Sequence, residues 1–169
     1  MTDCPIVTLS WAEMHLCATV AAMRQISALR RLAQPRHGAN GMGAFDMHLF
    51  GCVGEFAVAK HLNLFWAASP GVLEPNDVGG KLQVRAAYQE NYRLILHDSD
   101  SSDDPFVLAL AHDLPRVTLR GWVFGRDGKL RKYWADPVGG RPAYFVPQES
   151  LVAMHELAPL VAAHAGRPA

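Results

Sequence analysis

Helical periodicity dominates the first part of the chain. Apolar residues three and four positions apart run from residue 11 to about residue 33, which is typical of a helix with one apolar face. Ser10 and Glu13 form an S-x-x-E capping box at its start, because each side chain can bond a free backbone amide of the other residue. Glycine and proline then predict a loop over residues 35–43.

A second helix is predicted over residues 45–62, and it contains two glycines. Gly51 and Gly54 each cost a helix about 1 kcal/mol relative to alanine. We therefore expect another backbone to approach this helix closely. The connection that follows, residues 63–80, is punctuated by proline and glycine and has room for a short strand near residues 72–73.

The pattern then changes to an alternation of apolar and polar residues, which is typical of half-buried strands. Polar turns separate these strands, so we expect antiparallel neighbours, and the acidic stretch 98–105 is one of the turns. A last helix is predicted over residues 149–164, with Pro159 breaking or kinking it. The order of elements predicts an α+β fold, with N-terminal helices packed on a mainly antiparallel or mixed sheet. The four predicted strands are 81–88, 92–97, 106–111 and 117–124.

Composition narrows the class of protein. The 169 residues, half of them apolar, predict one domain over residues 1–169, with frayed ends at 1–9 and 165–169. Sixteen basic and sixteen acidic residues give zero formal net charge, so nucleic-acid binding would require a local patch. No apolar run is long enough to cross a membrane, so we expect no membrane partner. A signal peptide is not recognisable and the three cysteines are scattered, so we expect a cytoplasmic protein without a disulfide framework.

Four polar residues in the middle of the chain predict a site for a hard cation. Glu55 has small or apolar neighbours at helical spacing, so its carboxylate is expected to point into the core, where it needs a partner, a metal or a raised pKa. Asp77 lies near the end of the long connection. Gln83 and Arg85 are two apart on the next strand and therefore share one face. Carboxylate and amide oxygens suit Mg²⁺, which would activate a water and stabilise charge on a phosphate.

These residues resemble the motif of the PD-(D/E)xK, or restriction-endonuclease-like, nuclease superfamily. The chain has a helix with GxxGExAxAK, then an aspartate, then a strand with QxR, and the match extends over about residues 51–110. The resemblance implies a Mg²⁺- or Mn²⁺-dependent DNA endonuclease with a restriction-endonuclease-like core, of a phage or prophage type. It also implies that Glu55, Asp77 and Gln83 bind the metal. Arg85 takes the place of the lysine that orients the attacking water.

The motif departs from the family in ways that bear on activity. Gln83 stands where the family usually has an acid, which lowers the negative charge of the metal site. Arg85 is effectively always protonated and cannot act as a base, although it can hold a phosphate or a water. The alternative is therefore a catalytically decayed, non-enzymatic phage or mobile-element accessory protein that binds DNA or a protein partner. Either function is compatible with a homodimer.

Simpler explanations exist for the same residues. Glu55 would also be satisfied by an ion pair with an arginine such as Arg85. Asp77 precedes two glycines by a short interval and would also suit a turn. Gln83 and Arg85 would also suit the solvated face of an edge strand.

A short basic stretch, residues 126–134, is the candidate DNA contact. Its cations would bind the phosphate backbone, and Tyr133 or Trp134 would stack on an unpaired base. A charged hairpin tip would explain the same composition. Because the whole chain is neutral, we expect binding through this stretch to be modest and sensitive to salt. The four cations are Arg126, Lys129, Arg131 and Lys132.

Overall fold

The structure is a computed structural model that describes residues 4–30, 43–70, 78–79 and 82–165. Its helices and sheets confirm the expected α+β class. The predicted strand near residues 72–73 and most of the predicted loop 35–43 lie outside the described residues. The helices are α1 (Trp11–Arg30), α2 (Ala44–Leu62), α3 (Gly125–Gly128) and α4 (Met154–Ala165). The strands are β1 (Ile6–Thr8), β2 (Gln83–Ala87), β3 (Leu94–Leu96), β4 (Pro105–Asp113), β5 (Arg116–Phe124), β6 (Trp134–Ala135) and β7 (Ala143–Val146).

A four-stranded sheet forms the centre of the protein, in the order β1-β5-β4-β2. β4 and β5 are antiparallel as expected, with Asp113 opposite Arg116 at their tight turn. The expectation of antiparallel neighbours is wrong for β2, which runs parallel to β4 with Val84 opposite Val107. The reason is that the chain leaves β2 through β3, which belongs to another sheet, and re-enters the first sheet in the same direction.

A smaller sheet, in the order β3-β7-β6, packs against one face of the first sheet. Leu94 and Leu96 of β3 are fully buried, in one apolar cluster with Phe106 and Leu108 of β4. The hydrophobic pattern does not reveal β6 and β7, because strands of two and four residues are too short to show an alternation.

The helices cover the other face of the first sheet. α2 packs on β2 and β4, and a Cβ at Gly54 would lie 2.8 Å from the Cβ of Ala86 and 3.4 Å from the Cβ of Ala109. The close approach expected of this helix therefore occurs at Gly54, although alanine methyl groups make the contact. Gly51 differs, because the nearest atom to an added Cβ would be 3.9 Å away.

α1 packs along α2 and begins at the predicted cap. The Ser10 amide donates to Oε2 of Glu13 at 2.6 Å, and the Glu13 amide donates to Oγ of Ser10 at 3.2 Å, which confirms the capping box. The buried Cys17 thiol of α1 donates to the Cys52 carbonyl of α2 at 3.7 Å. α2 ends at Asn63, whose left-handed conformation terminates the helix.

Both ends of the described chain differ from expectation. Residues 6–8 form β1 instead of being frayed, because they pair with β5 and bring Leu9 into the core. That partner is more than a hundred residues away, so the local sequence does not show the pairing. The last helix begins at Met154, after a 3₁₀ turn at Gln148–Ser150, and Pro159 does not break it. The frayed end predicted at 165–169 lies outside the described residues from position 166 onward.

Candidate functional site

Glu55 is buried in an ion pair. The Glu55 residue is 5% exposed, and its position in the core is as expected. Arg24 of α1 donates from Nη1 to Oε1 at 2.8 Å and from Nη2 to Oε2 at 2.9 Å. The indole of Trp66 donates to Oε2 at 3.0 Å. The arginine that balances Glu55 is therefore Arg24 and not Arg85.

The guanidinium of Arg24 is held in place by a further contact. Its Nε donates to the carbonyl oxygen of Ser69 at 2.9 Å, so every edge of the group has an acceptor. The side chains of Arg24 and Glu55 are only 11% and 7% exposed. Loss of either charge from a bidentate pair buried to this extent is strongly destabilising, because burial has already removed both groups from water. The pair joins α1, α2 and the segment that follows α2.

Gln83 and Arg85 share one face of β2, as their spacing predicts, and this face points away from α2. Val84, on the opposite face, lies against Gly54 of α2. The register places Arg85 beside Leu108, whose side chain belongs to the apolar cluster between the two sheets. The central sheet therefore separates Gln83 and Arg85 from Glu55, and the structure does not bring these three residues together.

Arg85 is paired with Asp100, which lies in the acidic turn between β3 and β4. Nη2 of Arg85 is 2.9 Å from each carboxylate oxygen, and Oδ2 also accepts the His97 amide at 2.9 Å. The guanidinium carbon lies 5.1 Å from the ring centroid of Phe106. The sequence reasoning missed Asp100 as a partner. The sequence did contain a signal for this partner. An aspartate in a turn often accepts a hydrogen bond from the backbone of the same turn, which fixes its carboxylate where a distant arginine can pair with it.

The predicted metal site is described only in part. Asp77 lies outside the described residues. Glu55 fits a metal poorly, because its two oxygens already accept three hydrogen bonds. Within the described ranges, no three His, Cys, Asp or Glu side chains lie close enough together to hold a metal ion. Binding of Mg²⁺ or Mn²⁺ by Glu55, Asp77 and Gln83 stays a prediction.

α3 anchors the acidic turn from its other side. The ammonium of Lys129 donates to the carbonyl oxygens of Asp98 and Asp100. The backbone amide of Arg126 donates to the carbonyl oxygen of Ser102 at 2.8 Å. Lys129, one of the four predicted DNA contacts, is therefore engaged within the protein.

The other three predicted DNA contacts are exposed. Nη1 of Arg126 lies 3.5 Å from Oδ1 of Asp103, and both side chains of this pair are exposed to solvent. Nζ of Lys132 lies 4.7 Å from the ring centroid of Tyr133, whose pKa is below its ordinary value mainly because its hydroxyl is hydrogen-bonded to Ser150. Arg131 makes no ion pair with any residue that the structure describes.

The β6–β7 hairpin continues this exposed region. Trp134 is 43% exposed and packs edge-on against Tyr144, with ring centroids 4.6 Å apart and an interplanar angle of 61°. Asp136 accepts the amides of Gly140 at 2.7 Å and Arg141 at 3.1 Å, so its carboxylate is used inside the turn. We name the exposed residues of this region the basic hairpin surface: Arg131, Lys132, Trp134 and Arg141.

No protein-family model, curated protein or solved structure matches this chain. Over the ranges that the structure describes, every helix is too short or too polar to cross a membrane.

Proposed function

We propose that this protein binds DNA through the basic hairpin surface and does not hydrolyse it. The observation that carries the proposal is the charge of residues 126–141, which contain two carboxylates and, besides Arg126 and Lys129 that contact the acidic turn, three exposed cations in a chain of zero net charge. One of these carboxylates, Asp136, is already used in its own turn. Arg131 and Arg141 have no carboxylate partner among the described residues. Phosphate groups are the partner that such cations favour.

Binding without hydrolysis is favoured by the state of the motif residues. The charge of Glu55 is balanced by Arg24, the Trp66 indole donates a further hydrogen bond to it, and the charge of Arg85 is balanced by Asp100. A metal would have to displace a buried guanidinium to reach Glu55, which would break a bidentate charge pair in the core. These contacts support the alternative of a non-enzymatic accessory protein over a nuclease.

Metal-dependent cleavage remains the second candidate. Gln83 and Arg85 lie on one face of β2, as the nuclease motif requires, and Asp77 precedes them in the chain. Arg85 would hold a phosphate or a water only after releasing Asp100. The two candidates differ in a single observable, which is cleavage of the bound DNA.

Binding is tested by fluorescence anisotropy of a short labelled DNA at several salt concentrations. Loss of one phosphate contact lowers the slope of log affinity against log salt by about 1, so Arg131→Ala should show this change. The matched control is Arg116→Ala, which removes an exposed cation from the start of β5, outside the basic hairpin surface. Equal affinity and slope for Arg131→Ala and wild type would refute the proposed surface.

Cleavage is tested on supercoiled and single-stranded DNA with Mg²⁺ or Mn²⁺. The wild type and Asp77→Ala are purified in parallel, so that a contaminating nuclease appears in both. We expect no cleavage by either protein. Cleavage by the wild type that is lost in Asp77→Ala would refute the non-enzymatic proposal and establish the nuclease.

A further inference from the structure

We infer that Trp134 is a stacking platform for an unpaired base, and that the basic hairpin surface therefore prefers single-stranded DNA to duplex. This inference rests on the proposed DNA binding and specifies the form of DNA that is bound. It depends on three features of the β6–β7 region. Tyr144 supports the indole of Trp134, cations precede and follow Trp134 along the hairpin, and Lys132 covers the ring of the neighbouring Tyr133.

The indole of Trp134 is exposed but held in place. It lies on the edge strand β6, where the register pairs it with Tyr144 of β7. Tyr144 contacts the Trp134 ring at a centroid distance of 4.6 Å and itself packs against the buried cluster that contains Leu96. A ring that is already ordered loses little conformational entropy when a base stacks on it. Trp134 is 43% exposed, and a base would stack on this exposed surface.

Tyr133 is a poorer platform than its neighbour. Its ring already carries the ammonium of Lys132 at 4.7 Å, and its hydroxyl is hydrogen-bonded to Ser150. A base would have to displace the lysine to stack there. Trp134 has no cation over its ring among the described residues. The structure thus distinguishes between two aromatic residues that are adjacent in the sequence.

The cations lie on both sides of the tryptophan along the hairpin. Arg131 and Lys132 precede Trp134 in the 3₁₀ turn, and Arg141 lies at the other end of the hairpin turn, two residues before β7. A strand whose base stacks on Trp134 would therefore place phosphates near cations on either side. This combination of a stacking ring and flanking cations is what single strands use and what a duplex cannot use, because pairing hides the faces of its bases.

The inference is tested by measuring the affinity of oligo(dT) and of a duplex of equal length for four proteins. These are the wild type, Trp134→Ala, Trp134→Phe and the control Trp11→Ala, which removes a 73% exposed tryptophan from the start of α1. We expect Trp134→Ala to bind oligo(dT) about 5- to 150-fold more weakly, with duplex affinity unchanged. Trp134→Phe should keep part of the single-strand affinity, and Trp11→Ala should keep all of it.

Tryptophan fluorescence gives an independent readout. Trp66 and Trp122 are buried, so the exposed indoles are those of Trp11 and Trp134. Oligo(dT) should quench the emission of the wild type and of Trp11→Phe, and should leave Trp134→Phe unquenched. Circular dichroism of each variant establishes that it is folded, which we expect because neither side chain belongs to the buried core.

The outcomes separate this inference from the proposal on which it rests. If the wild type binds duplex and Trp134→Ala loses nothing for oligo(dT), the stacking platform is refuted while DNA binding stands. If the wild type binds neither DNA, both fail. Tighter binding of oligo(rU) than of oligo(dT) would refute the choice of DNA.

Discussion

Removal of the Glu55 charge should strongly destabilise the fold. Glu55→Gln keeps the size of the side chain and an oxygen for the Trp66 indole, but removes the carboxylate charge that pairs with the buried Arg24, whose side chain is 11% exposed. Breaking a buried pair in this way costs about 3–5 kcal/mol in the free energy of unfolding. For a domain of this size, that loss lowers the midpoint of thermal unfolding by about 6–20 °C.

The measurement is urea denaturation followed by circular dichroism, in a double-mutant cycle. Arg24→Met should cost a similar amount as Glu55→Gln, and the double variant should cost less than the sum of the two, because each single variant already breaks the same charge pair. The matched control is Lys60→Met, which breaks the Glu13 pair between the same two helices. That pair has the same N–O distance of 2.8 Å, but its side chains are 40% and 25% exposed. We expect this control to cost less than about 1 kcal/mol.

Two results would refute the reasoning. The first is a cost for Glu55→Gln as small as that for Lys60→Met, because burial would then not set the strength of the pair. The second is strict additivity of the two single variants, because the charges would then not act on each other. Either result would also remove the main physical objection to a metal at Glu55, since the carboxylate would not be committed to Arg24.

Three further predictions concern other parts of the fold. Gly54→Ala should destabilise by about 1–3 kcal/mol in denaturant titrations, because its Cβ would lie 2.8 Å from a neighbouring methyl group, whereas Gly51→Ala should stabilise by about 0.5–1 kcal/mol. Burial lowers the pKa of His48 below its ordinary 6.5, so the unfolded state takes up a proton first as the pH falls. Stability should therefore decrease as the pH falls below 6.5, and His48→Gln should reduce this decrease; equal pH profiles would contradict the assignment. Burial raises the pKa of the Cys17 thiol to about 12, so in the native protein a thiol reagent should react with Cys4 and leave Cys17 intact, as mass spectrometry of the labelled protein would show.

The local sequence is enough to predict most of the helices and strands. The capping box at Ser10 and Glu13 predicts the start of α1, because both of its hydrogen bonds are made within one helical turn. β4 and β5 have nine residues each, long enough to show a strand pattern: β5 alternates between buried and more exposed residues, and β4 is a continuous apolar run that is buried on both faces. β1, β6 and β7 are too short to show it, and they form because distant strands supply their hydrogen bonds.

The candidate site, like the fold, has features that the local sequence predicts and features that it does not. The sequence alone indicates that Glu55 is buried, that Gln83 and Arg85 share a face, and that residues 126–134 are basic. These are properties of helical spacing, strand spacing and composition, and the structure agrees with the first two. The PD-(D/E)xK resemblance, with its metal ligands, remains a prediction.

Only the tertiary structure decided which charges meet. The partner of Glu55 is Arg24, thirty-one residues earlier, and the partner of Arg85 is Asp100, fifteen residues later. Each pair depends on how α1 lies on α2 or how the acidic turn folds over β2, and many arginines in the chain could have filled either role. An ion pair forms between charged groups that are close in space. Spacing along the sequence indicates that closeness only where both partners lie on the same helix or strand.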